Sequence, residues 1–347
     1  MRFRLAALLF VVASIASAQV QKGIQNGRVV DDEGKVLLTP KVARQMKESG
    51  AQWVRVQFRL IPPSTKWEIG LIVKYREAIN NVRAEGLNVL GVLDNESASG
   101  TQSDWTEHSA EAHGGTGDNE YIQRWTADVF RPLMFAFSDV PNWEIWSGPN
   151  QWSTSQPGDK DKLPGRSYMY PSNFAWLLKR CFEEARLSKL KVVIVSGGLS
   201  VSSQSEAETA VYLQETVKAG VRHAAWNDTA TKHKSFPFDA VGVRVAPAGG
   251  GNLATQLSAI AKIAADLEPK RPRKIWVTEL GWTSTDSQGE AELAAHLKQA
   301  LDDLAEVPQV GPVFWSRLTD APGALTGLRR VDGTAKPAWE AFLAWKG

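Results

Sequence analysis

The sequence is poor in the residues that announce redox, metal or disulfide chemistry. It has one cysteine, Cys181, and five histidines in 347 residues. A lone cysteine closes no internal disulfide, so an exported form of this chain would rely on its core for stability. His108 and His113 sit among Asp104, Glu107, Glu111 and Asp118, but they are not the i, i+4 pair of a helical metal site. No metal and no cofactor is expected. An excess of either charge is missing as well: 40 Lys and Arg face 38 Asp and Glu, which gives no electrostatic case for nucleic acid or an anionic membrane. There is no G-x-G-x-x-G after the first strand-like run, and no G-x-S-x-G elbow. "VSGGLSVSS" and "VAPAGGGNL" read instead as turns.

What is present is more directive. The 14 Trp nearly equal the 12 Phe and 5 Tyr combined. Large α/β proteins bury aromatics, and sugar C–H faces also lie well on indole, so this excess fits both core packing and carbohydrate binding. The chain opens with "MRFRLAALLFVVASIASAQ": basic Arg2 and Arg4, an apolar run from Leu5 to Ile15, and Ala16-Ser17-Ala18 in an A-x-A pattern. These are the three parts of a secretory signal peptide, and the run is too short to span a bilayer. Cleavage after Ala18 is expected, leaving residues 19–347 as a secreted or periplasmic protein with no membrane span.

From there strand-like and helix-like stretches alternate to the end. Apolar runs appear at "KGIQNG", "QWVRVQF", "LNVLGVL", "NWEIW", "KVVIVSGG", "DAVGVRV", "KIWVTEL" and "GPVFWSR", with amphipathic stretches between them and "AKPAWEAFLAWK" last. Eight β–α units in one chain predict an α/β fold, a single-domain (βα)8 TIM barrel. Working residues in such a barrel come from the C-terminal ends of strands. Side-chain alternation then places Trp53, Arg55 and Gln57 on one face of the second strand, and Glu144, Trp146 and Gly148 on one face of the fourth. On the seventh, Glu279 shares its parity with Val277 and Ile275.

At this point the residues resemble the clan A glycoside hydrolases, (βα)8 enzymes that cleave glycosides with retention. "WEIWSGPN" matches their W-E-I-W-N-E-P-N at six of eight positions, and "KIWVTELGWTS" is similar to the strand that carries the nucleophile. "GAQWVRVQFR" and "GPVFWSRLTD" resemble the second and eighth strands, and "GLRRVDGTAKPAWEAF" the tail of several of these families. The resemblance covers the whole mature chain. It implies Glu279 at the nucleophile position and Arg55 as its support. It implies a sugar site drawing on Ser147, Trp146, Asn150, Trp152, Arg244, Trp282 and Trp315, with a polysaccharide or oligosaccharide as partner.

The departures bear on the chemistry. Retaining glycosidases use two carboxyls about 5–5.5 Å apart, one a nucleophile and one an acid/base. Gly148 occupies the acid/base position and has no side chain, and Ser147 stands where the clan has the Asn that holds the sugar's 2-hydroxyl. On the sixth strand Arg244 or Val245 stands where an aromatic residue or His is usual. Losing a general acid costs roughly 10²–10⁴-fold. The reading that follows is a secreted, glycoside-hydrolase-like barrel that binds carbohydrate with weak or absent hydrolysis. One alternative is an active retaining hydrolase whose acid/base has moved to Asp94 or Glu96; another is a non-catalytic scaffold for a protein partner. Glu144 reads as a buried, paired structural residue.

Overall fold

The computed structural model describes residues 20–100, 105, 110–111, 114–151, 167–201, 206–245, 253–269, 272–282, 284, 287–307 and 309–346. The expected signal segment 1–18 lies outside the described residues, as do Trp152, Asp159, Asp161, Asp104, Glu107, His108 and His113. Within them eight parallel strands close into one barrel in sequence order: β1 (Lys22–Gln25), β2 (Trp53–Phe58), β3 (Asn88–Leu93), β4 (Asn142–Ser147), β5 (Val193–Val201), β6 (Ala240–Val245), β7 (Lys274–Leu280) and β8 (Val310–Trp315). β8 returns to β1 with Gly23 opposite Phe314, which completes the ring and leaves no sheet edge. The expected TIM barrel is the observed fold, and each strand falls on the apolar run that predicted it.

Alternation along the strands sorts side chains between two cores. Val54, Val56 and Phe58 of β2 are all fully buried in the larger core, between barrel and helices. There they meet Tyr75, Ala78, Ile79 and Val82, an i, i+3, i+4, i+7 stripe on the helix Ile69–Ala84. The opposite parity makes the barrel's floor: Leu90, Val195, Ala240, Trp276 and Phe314 cluster inside, and Trp53 meets Trp276 edge-on at 5.3 Å. Above this apolar plug lies a polar layer, and above that the mouth where strands β1 to β8 end. Helices begin where sequence chemistry permits: Thr39 accepts a hydrogen bond from the N–H of Val42 ahead of the helix Pro40–Glu48, and Pro40, Pro171 and Pro337 each occupy a first helical turn. No helix among the described residues is long and apolar enough to cross a membrane.

The barrel's N-terminal end is latched by Lys22. Its ammonium, on a residue only 6% exposed, donates to the carbonyl of Trp345 at 2.7 Å and to that of Phe342. It also lies 4.8 Å from the centre of the Phe342 ring. These carbonyls end the last helix, Pro337–Ala344, where unpaired C=O groups and the helix dipole attract a cation, while burial and the nearby Lys346 oppose it and lower the ammonium's pKa from 10.5 to about 8. Replacing Lys22 by methionine keeps the stem and removes the donors. Hydrogen bonds from a charged group contribute about 1.5–3 kcal/mol, and Lys22→Met is expected to lower the unfolding free energy by that amount in urea titrations. An unchanged midpoint would show the latch to be energetically idle.

Candidate active site

The strand ends converge on a cavity of about 430 Å³ lined by Gln25, Arg55, Gln57, Asp94, Asn95, Glu96, Ser147, Gln151, Ser167, Arg244 and Glu279. Each strand from β1 to β4, with β6 and β7, contributes from its C-terminal end or the loop after it. The lining is almost entirely amide, hydroxyl and charge. At its base sits a buried ion pair: Arg55 Nε meets Glu144 Oε2 at 2.7 Å and Nη2 meets Oε1 at 3.1 Å, with the residues 2% and 0% exposed. Glu144 Oε1 also accepts from the N–H of Gly198 and the hydroxyl of Thr278, at 3.0 and 3.1 Å. Glu144 is thus a paired structural carboxylate.

Arg55 spends its remaining donors on Gln25 at 2.8 Å and Ser147 at 3.3 Å, so its hydrogen bonds do not run to Glu279. Its link to Glu279 is through charge. Burial, the largest single influence, opposes the guanidinium's charge, but Glu144, Glu279 and Asp94 together outweigh it, and the pKa of Arg55 is raised. One arginine is the shared counter-ion of three carboxyls.

Glu279 is instead gripped by Arg244, whose Nε donates to Glu279 Oε2 at 2.9 Å. The β6–β7 register shifts between Val243 and Arg244 and sets Arg244 opposite Glu279. The same region of β7 breaks the expected alternation. Ile275 and Val277 lie in the outer core, Thr278 turns inward to Glu144, and Glu279 reaches the cavity beside it.

The fourth strand breaks alternation more sharply. Trp146 has a φ of 75°, and Gly148 a φ of 66°. The turn at Trp146 brings the carbonyls of Ile145 and Trp146 to 2.8 and 2.9 Å from where a β-carbon of residue 197 would stand, which is why β5 carries Gly197 there. Ser147 consequently enters the cavity. Trp146, expected to share the inward face with Glu144, is fully buried on the other side, 5.6 Å from Trp105 and 5.9 Å from Trp125, with its indole N–H bonded to the carbonyl of Ser167. No sugar can stack on it, which corrects its expected role.

Trp315 is corrected likewise. It is fully buried in the outer core, donating to the carbonyl of Thr326, because β8 turns Phe314 inward in its place. Trp282 is half-buried against Trp315 at 5.4 Å and is not among the described residues lining the cavity. Asn150 ties strand ends together instead of lining the site: its amide donates to the carbonyl of Ser200 at 3.0 Å and accepts from the N–H of Ser200 at 2.8 Å.

A β-carbon at Gly148 would lie 3.2 Å from Nη1 of Arg244, 3.2 Å from the Ser167 hydroxyl and 2.9 Å from Oε1 of Gln151. A side chain at residue 148 would therefore meet Gln151 first, and Arg244 and Ser167 next. Ser167, Gln151 and Gln25 were not singled out by sequence reasoning. Gln25 closes β1 and was findable as a strand-end residue, whereas Ser167 arrives from a loop.

Asp94 is the cavity's most perturbed acid. It is 3% exposed, accepts from Gln57 Nε2 at 2.8 Å and accepts from the N–H of Glu96 at 2.9 Å. Burial, reinforced by the charge of Glu96, raises its pKa from 3.8 to about 7. An acid whose folded pKa exceeds its unfolded value binds more protons when folded, so its contribution to stability falls as pH rises from about 4 to about 7. Urea midpoints should accordingly decline over that window more steeply in wild type than in Asp94→Asn. Parallel profiles would mean that Asp94 is ionised throughout.

Of the acids flagged near His108 and His113, Glu111 pairs with Arg222 at 2.8 Å and Asp118 with Arg180 at 2.6 Å. No group of three or more potential metal ligands occurs among the described residues.

No family model matches the chain, and no curated protein matches it. Solved structures do. The chain is similar to a GH5-4 broad specificity endoglucanase from Clostridium acetobutylicum at 13% identity, covering 93% of this chain and 96% of that one, with a TM-score of 0.62. It is similar to xylanase B from Clostridium stercorarium F9 at 12% identity, with 94% and 97% covered and a TM-score of 0.60. A GH5_18 variant from Streptomyces cattleya, solved with Manβ1-4GlcNAc, aligns at 16% identity over 93% of this chain and 79% of that one, with a TM-score of 0.57. The likeness is one of fold: the chain is a closed (βα)8 barrel of the architecture that these glycoside hydrolases share.

Proposed function

We propose that this chain is a secreted carbohydrate-binding barrel that keeps a glycosidase nucleophile position at Glu279 and hydrolyses ordinary glycosides weakly or not at all. The observation that carries the reading is Arg244, with Nε 2.9 Å from Glu279 and Nη1 3.2 Å from the point where a side chain at residue 148 would begin. A guanidinium does not release its proton at physiological pH, so it does not serve as the general acid for a departing alkoxide. The amides of Gln25, Gln57 and Gln151, with the hydroxyls of Ser147 and Ser167, supply the donors and acceptors that sugar hydroxyls require. The neighbouring folds named endoglucanase and xylanase support a saccharide ligand, and the Met1–Ala18 segment supports export.

Aryl glycosides with very acidic phenols test this directly, because their leaving groups need no proton. A burst of phenol followed by slow turnover is expected, abolished in Glu279→Ala and hastened in wild type by azide, while unactivated glycosides persist. Brisk hydrolysis of unactivated glycosides would overturn the reading. It would favour a second one, a working hydrolase with Asp94 as relocated acid. The elevated pKa of Asp94, about 7, is what supports that alternative. Its signature would be activity that falls as pH rises through that value and disappears in Asp94→Asn.

A further inference from the structure

We propose that the cavity's preferred ligand is a sugar carrying a phosphate on its anomeric oxygen, held by the open edge of Arg244. The inference rests on the reading of the cavity as a saccharide site and names what that saccharide bears. Arg244 commits Nε to Glu279, and Nη1 lies a long 3.4 Å from Gln151 Oε1. Nη2 has no partner among the described residues, and the side chain is 28% exposed. A half-exposed guanidinium with its Nη edge unspent, inside a cavity of about 430 Å³, is built for two oxygens of one anion.

The placement of that edge specifies where on the ligand the anion sits. Nη1 lies 3.2 Å from where a side chain at residue 148 would begin while Nε lies on Glu279, so the guanidinium reaches both the nucleophile position and the position beside which a leaving oxygen would lie. A neutral aglycone there leaves charged N–H groups short of acceptors; a phosphate supplies them. Asp94, Glu96 and Glu279 also line the cavity, so the anion must sit on the Arg244 side, away from Asp94 and Glu96. Arg55 is committed to Glu144, and Glu96 lies 3.7 Å from Arg59 near the rim.

The same ligand removes the need for the missing acid. When a Glu279 oxygen bonds to the anomeric carbon of the singly protonated ester, R–O–PO3H⁻, the C–O bond to phosphate breaks with its electron pair on the phosphate oxygen, and the proton the phosphate already carries takes the place of an external acid. Phosphate departs as a dianion that Arg244 neutralises. Water then displaces Glu279 from the anomeric carbon, and its proton passes to the phosphate dianion. Sugar and inorganic phosphate are the products, with no oxidant, reductant or cofactor required.

Calorimetry on the full chain at neutral pH tests this. The probes are the 1-phosphates of glucose, galactose, mannose and xylose, in both anomers, against the matching methyl glycosides and methyl glucuronide. At least one 1-phosphate is expected to bind ten times more tightly than its methyl glycoside. Arg244→Met is expected to erase that margin and Arg244→Lys to keep part of it, with thermal unfolding confirming that both variants fold. Release of inorganic phosphate from the bound ester, absent in Glu279→Ala, would extend the support to the chemical step. Equal affinity for phosphates and methyl glycosides, a margin that survives in Arg244→Met, or tighter binding of methyl glucuronide than of any 1-phosphate would overturn the inference and leave the saccharide reading standing. Failure of every probe to bind would overturn both.

Discussion

Replacing Arg55 by methionine is expected to lower the unfolding free energy by about 3–5 kcal/mol, the usual result of stranding one partner of a buried ion pair. Arg55 and Glu144 are 2% and 0% exposed and joined by two hydrogen bonds of 2.7 and 3.1 Å, so neither has water to fall back on. Methionine fills much of the volume, which confines the loss to charge and hydrogen bonding. The N–H of Gly198 and the hydroxyl of Thr278 would still reach Glu144, but neither carries a full charge. The deficit should shrink as pH falls, since a proton can neutralise the stranded carboxylate. It should shrink also in Arg55→Met/Glu144→Gln, where no charge is stranded. Urea unfolding of the two variants at pH 5 and pH 8 measures all of this. A loss under about 1 kcal/mol in the single variant would mean that water enters the barrel's polar layer and screens the pair.

That polar layer shows how far the sequence could be read. The eight apolar runs specified the strands because parallel strands buried by helices leave little ambiguity, and Arg55 and Gln57 faced inward as simple alternation required. Alternation failed where the backbone leaves the regular strand. Trp146 takes a φ of 75°, which no residue type in "WEIWSG" announces. Its indole therefore joins Trp105 and Trp125 in the core instead of entering the cavity. On β8 the two aromatics of "VFW" are interchangeable in sequence, and Phe314, not Trp315, was the one turned inward. Much of the tryptophan excess is packing. The helix Trp226–His233 is hard to read in sequence for a similar reason: Ala225, at a φ of 49°, separates it from the helix Glu206–His223 without a glycine or proline to mark the break. Arg244 and Glu279 were each named from their strand ends. Their pairing depends on a register shift between β6 and β7, a property of two strands together that neither segment encodes alone.

Placing a carboxylic acid at residue 148 by the single substitution Gly148→Glu is expected not to create hydrolysis, and to cost about 1–2 kcal/mol of stability. Residue 148 has a φ of 66°, in the left-handed region that costs a residue with a β-carbon about 1–2 kcal/mol. The added atom would also meet the side-chain ends of Gln151, Arg244 and Ser167 at 2.9, 3.2 and 3.2 Å, and these can shift aside at small cost. The backbone cannot simply swing away, since the N–H of Gly148 bonds the carbonyl of Gly198 at 2.9 Å. Chemically, a carboxylate entering this space meets the Arg244 guanidinium, which would hold it ionised when a general acid must be protonated. Hydrolysis of an unactivated aryl glycoside should therefore not rise. In Gly148→Glu/Arg244→Ala the guanidinium is gone and the new carboxyl is free to carry a proton. A gain of about 100-fold over the single variant is expected there, the lower end of what general acid catalysis supplies. A Gly148→Glu protein that unfolds at the wild-type midpoint and hydrolyses such a substrate briskly would show that Arg244 does not hold the new carboxylate ionised in solution. The loss of the acid would then be a single change, with nothing around it built to accommodate the loss.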